Sequence, residues 1–115
     1  MSNDEIYEKI YYLNRRIQEC EDSIYYLKKA NNKCNSISNG IRQLETSQYE
    51  KVCENCEEGI GREEVLLEKL KLSHSNISSI NDNISNEISN AINAVNNEIN
   101  NLYNRISSLY NQLEY

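Results

Sequence analysis

No proline interrupts the 115 residues, tryptophan and phenylalanine are absent, and there are only three glycines, one histidine and one methionine. Without proline nothing in the chain forces a helix to stop or kink. The aliphatic residues are almost all Ile and Leu, which make narrow seams with little depth, so an enzyme pocket is hard to build and a non-catalytic role is expected. No apolar run approaches the roughly 20 residues of a membrane span. The start, Met1-Ser2-Asn3-Asp4-Glu5, lacks the basic and then apolar pattern of a signal peptide. The expectation is a protein that is cytoplasmic before export and, if secreted, leaves by a leaderless route. A basic surface is missing too. The formal net charge is -6 and the pI near 4.8, which argues against a nucleic-acid partner, because phosphate binding needs a basic face. The doublets Arg15-Arg16 and Lys28-Lys29 sit among acids and read as solvated helix faces.

Four cysteines are present, but their placement weakens a metal or disulfide reading. Cys20 and Cys34 are 14 residues apart, about 21 Å along one helix at ~1.5 Å per residue. Cys53 and Cys56 form one Cys-Glu-Asn-Cys motif, whereas structural zinc takes four ligands and the only histidine is His74. No cofactor and no metal is expected, with a half-site completed by a partner as the rival reading of Cys53 and Cys56.

What the chain does contain is two apolar stripes at heptad spacing. Ile6, Ile10, Leu13, Ile17, Cys20, Ile24 and Leu27 follow steps of four and three, as the buried positions of paired helices do. The stripe then takes an extra step of three to Ala30 and resumes through Cys34, Ile37, Ile41 and Leu44, which reads as a stammer. The second stripe runs Leu66, Leu70, Ser73, Ile77, Ile80, Ile84, Ile88, Ala91 or Ile92, Val95, Ile99, Leu102, Ile106, Leu109 and Leu113. Its advance from Ile84 to Val95 reads as a stutter.

These stripes predict an all-α fold, two long antiparallel helices forming a helical hairpin, in a single domain over residues 1–115. The first helix is expected over about 4–45, capped by Asn3 or Asp4, with a frayed or kinked stretch at the Asn- and Ser-rich residues 31–40. A connector follows over about 46–61, in which Ser47 and Glu50 form a capping box for a short connecting helix. Gly59-Ile60-Gly61 supplies the turn, and the second helix covers about 62–114. From Ser73 onward that helix carries twelve Asn and eight Ser but only five Asp, Glu or Arg. Asn and Ser are mediocre helix formers, so its apolar stripe must hold it in place.

Nine tyrosines are the only aromatic residues. Ile10-Tyr11-Tyr12-Leu13 recurs fourteen residues later as Ile24-Tyr25-Tyr26-Leu27, placing Tyr11, Tyr12, Tyr25 and Tyr26 off the seam. Tyr7 lies one turn before Tyr11, and Tyr103 and Tyr110 repeat at seven beside the second stripe. Tyrosine tolerates water until a partner covers it, so these seven are the candidate partner-binding residues. The alternative is that they flank a wider bundle core.

The size, the long helix pair and the central glycine break resemble the WXG-type small helical proteins of Gram-positive type VII (ESX) secretion, and more narrowly the YwqH-like partners of LXG toxins. Gly59-Ile60-Gly61 takes the place of that family's Trp-x-Gly turn, keeping the second glycine and lacking the tryptophan. Tyr110 and Glu114 match the family's secretion signal, a tyrosine followed four residues later by an acid. The resemblance implies a targeting or chaperone-like protein that packs against the helical N-terminal region of a larger secreted toxin, with a second small helical protein as an additional partner. The runner-up is a self-assembling structural coiled coil, and the stripes also allow a homodimer.

Overall fold

The computed structural model describes residues 1–54 and 62–114. The chain is an all-α helical hairpin of two long helices, α1 (Asn3–Glu54) and α2 (Arg62–Asn111). Pairing between them is antiparallel: Asn3 meets Glu114, Arg16 meets Glu98, Asn31 meets Ser85, Cys34 meets Asn81 and Tyr49 meets His74.

Helix α1 begins one residue earlier than a cap at Asn3 or Asp4 requires. Ser2 is the cap, its hydroxyl accepting the Glu5 amide at 3.3 Å while its carbonyl accepts the Ile6 amide at 3.1 Å. Asp4 and Glu5 occupy the first turn, where the helix dipole favours acids. At the other end α1 runs past residue 45 to Glu54, so the first part of the expected connector belongs to the helix. Ser47 starts no new helix. Its hydroxyl donates to the Gln43 carbonyl at 2.7 Å, and Thr46 donates likewise to Arg42 at 3.2 Å, the back-bonding of hydroxyl side chains inside a continuing helix. Residues 31–40 are helical throughout, with no frayed stretch.

The helices pack as two units, Met1–Ala30 with Ile88–Tyr115, and Asn31–Glu87. In the first, the stripes do what their spacing predicts. Ile6, Ile10, Leu13, Ile17, Leu102, Ile106 and Leu113 form a buried cluster, with Cys20, Ile99 and Leu109 packed against it. Burial of each such Ile or Leu stabilises by about 1.5–3 kcal/mol. The Asn3 side chain closes this end, donating to the Glu114 carbonyl at 2.6 Å and accepting the Glu114 amide at 3.0 Å. Arg16 and Glu98 lie 3.6 Å apart and half exposed, an ion pair of little energetic weight.

The unit Asn31–Glu87 is different. Among the described residues its buried side chains are Cys34, Ile41 and Leu67 together with the polar His74 and Asn81. Asn31, Ser38, Ser78 and Ser85 are partly buried beside them, while Ile37, Leu44, Leu66, Leu70, Ile77, Ile80 and Ile84 are exposed. The expected stammer and stutter therefore take another form. The buried positions keep an unbroken heptad, through Leu27, Asn31, Cys34, Ser38 and Ile41 on α1 and through His74, Ser78, Asn81, Ser85 and Ile88 on α2. It is the apolar stripe that steps aside by one residue onto a neighbouring face, leaving Asn and Ser inside.

Hydrogen bonds make this polar seam tenable, since a buried polar group costs free energy only when it lacks a partner. The Asn81 amide donates to the Cys34 carbonyl and to the Ser38 hydroxyl, each at 2.8 Å, and Ser85 donates to Asn31 Oδ1 at 2.7 Å. Tyr49 stacks on His74, with ring centroids 5.5 Å apart, and its hydroxyl bonds His74 Nδ1. Burial, and secondarily the charge of Glu45, push the Tyr49 phenol above its ordinary value. At neutral pH the phenol is protonated, and which of the two groups donates in this hydrogen bond is set by the imidazole tautomer. A raised phenol contributes stability fully below the unfolded value near ~10 and loses it as pH rises through the folded value. The stability difference between wild type and Tyr49→Phe should therefore be constant at neutral pH and shrink in strongly alkaline buffer. Thermal melts of both proteins across that range check this, and a difference that grows with pH contradicts the assignment.

Candidate partner-binding surface

All seven candidate tyrosines are exposed, from 49% for Tyr103 and Tyr110 to 68% for Tyr11. The seam takes one face of α1, and the intervening positions of each heptad must then point outward. They do not form a single patch. Tyr7 and Tyr11 lie with the acids Asp4 and Glu8, whereas Tyr12 turns to the other flank of α1 and borders a groove between the helices. That groove, about 530 Å³, has Leu13 and Leu109 at its floor, Lys9 and Arg105 as cations, and Ser108 and Gln112 for hydrogen bonding. Further along, Tyr12 stands beside Arg16, Glu19 and Ser23 in a shallower depression. Donation to the Tyr12 hydroxyl oxygen, with Glu98 adding a smaller effect, holds the Arg16 guanidinium above its ordinary value. Tyr25 and Tyr26 meet edge to face at 5.4 Å, and the Lys29 ammonium lies 5.6 Å from the Tyr25 ring centre.

The Tyr110 and Glu114 pair does not share a helical face, because α2 ends at Asn111. Glu114 follows a turn in which Leu113 donates to the Tyr110 carbonyl at 3.2 Å, and its backbone is tied to Asn3. Both side chains are exposed. Cys56 and the turn residues Gly59 and Gly61 lie outside the described residues, as does the side chain of Cys53. Cys34 is buried and Cys20 partly buried, both as free thiols, acting as small core hydrophobes. Among the described residues no helix is long and apolar enough to cross a membrane.

The chain matches no protein-family model, no curated protein and no solved structure.

Sequence reasoning missed Asn31, Ser38 and Asn81 as seam residues. Their signal was phase: counting back by heptads from Ile88 lands on Asn81, His74 and Leu67.

Proposed function

We propose that this chain is a non-catalytic helical binding module, a targeting or chaperone-like partner for the helical N-terminal region of a type VII-secreted LXG-type toxin. The observation that supports this reading is the groove beside Tyr12. It has an apolar floor, a tyrosine wall and the two cations Lys9 and Arg105. An amphipathic helix with Leu or Ile on one face and acids at its flanks has the complementary chemistry. Tyr7, Tyr11, Tyr25 and Tyr26 extend the area available to such a partner, and Tyr103 and Tyr110 do so on α2. The exposed isoleucines of α2 favour the runner-up, a self-assembling structural coiled coil.

Affinity capture of the tagged chain from its native cells, followed by mass spectrometry, should recover a larger protein with a long helical N-terminal region. Tyr12→Ser combined with Arg105→Ser should weaken binding of that purified region by at least about tenfold, or ~1.4 kcal/mol. The helical circular dichroism signal should stay unchanged, since both side chains are outside the core. Recovery of this chain alone, or unchanged affinity of the double variant, sinks the reading.

A further inference from the structure

We propose that the exposed Leu and Ile face of α2 between residues 66 and 84 joins two copies of this chain, antiparallel and about a twofold axis. The proposal stands apart from the toxin-partner reading. Leu66, Leu70, Ser73, Ile77, Ile80 and Ile84 advance by four and three, the spacing of a helix seam. Yet Ile80 is 60% exposed and Leu66 62% exposed. Helix α1 covers a different face of α2, the one carrying Leu67, His74 and Asn81. This segment thus presents two seams and its own hairpin fills only the polar one. An apolar groove of about 190 Å³ runs along the open side, lined by Ile37 of α1 and by Ile77, Ile80 and Ile84.

A second copy fits because the stripe is complementary to itself. Laid antiparallel about its midpoint, it opposes Leu66 to Ile84, Leu70 to Ile80 and Ser73 to Ile77, and the twofold repeats each layer. Lys69 then faces Asn83 of the second copy and Asn76 faces its own equivalent, so no like charges meet across the flank. Parallel pairing would set the two α1 helices on opposite sides of the interface, where they could not meet. The antiparallel arrangement instead stacks hairpin on hairpin and brings the two α1 helices together. Gly40 then finds a role. It sits between the exposed Ile37 and Leu44 at the same three-and-four spacing and has nothing within 4 Å of where a Cβ would be. A glycine in a helix interior is unfavourable by itself, but it lets two helix backbones approach closely.

Sedimentation equilibrium of the full chain should give twice the 13.4 kDa chain mass at micromolar concentration. Ile80→Asp and Gly40→Leu should each weaken association by at least about tenfold, whereas Leu72→Asp, exposed but off the stripe, should leave it unchanged. With the four native cysteines changed to alanine, Asn76→Cys should cross-link to itself on mild oxidation and Asn86→Cys should not. A monomer at every concentration overturns the proposal, as does a dimer indifferent to Ile80→Asp or cross-linking that ignores position.

Discussion

Leu102→Asp is expected to erase the cooperative thermal transition and most of the helical circular dichroism signal. Leu102 is 1% exposed and belongs to the cluster that includes Ile6 and Ile106. Truncation to alanine removes buried methyl groups and leaves a cavity, at a cost of about 2–5 kcal/mol. Aspartate adds a carboxylate among the Ile and Leu side chains of the buried cluster. Typical domains have only about 5–15 kcal/mol of stability in all. Leu72→Asp provides the contrast, since Leu72 is 62% exposed and substitutions at such sites change stability by about 0.5 kcal/mol or less. Chemical denaturation of the three variants checks the ranking. A cooperative transition retained in Leu102→Asp would show that the seam of the terminal unit is not its core.

Asn81 should be the most sensitive residue of the other unit, and sensitive in a different way. Its amide is 5% exposed and donates to both the Cys34 carbonyl and the Ser38 hydroxyl. Asn81→Ala deprives Ser38 of its donor and opens a cavity, which should cost about 1–3 kcal/mol. Asn81→Leu should recover that loss or exceed it, because a buried polar residue at a seam position trades stability for a single register. The same variant should then show heterogeneity. In nuclear magnetic resonance spectra of its amides, residues 31–44 and 67–88 should give more than one set of signals, while wild type gives one. Asn81→Leu with one set of signals and no gain in stability would refute the register role.

The contrast between these two residues marks how far the sequence could be read. Leu102 sits on a stripe whose apolar periodicity and buried periodicity coincide, so its burial follows from spacing alone. The hairpin, the helix pairing and the exposure of all seven tyrosines were legible for the same reason. Asn81 lies where the two periodicities part. Hydrophobicity there follows Ile77, Ile80 and Ile84, while the buried positions keep their heptad and carry Ser78, Asn81 and Ser85 inward. Reading apolar residues as buried ones then invents a stutter. The continuous phase could have shown otherwise, but only with the hydrogen-bond partners Asn31 and Ser38 already placed opposite. The end of α1 was misjudged for a similar local reason. Ser47 looks like a cap residue, yet its hydroxyl bonds backward to Gln43, as that of Thr46 does to Arg42, within a helix that continues. The tyrosine surface was seen as one face, and its division between an acidic and a basic flank depends on which side of the seam each heptad position falls.

Asn3 clasps the backbone of Glu114, so the two ends of this helix pair lie side by side. Tension applied to them works as it does on a zipper. It meets the clasp first, then the layers around Ile6, Ile10 and Leu13 one after another, and never loads the whole of this seam at once. The apolar seam of this unit, which resists heat as a whole, is in this geometry mechanically easy to open one layer at a time.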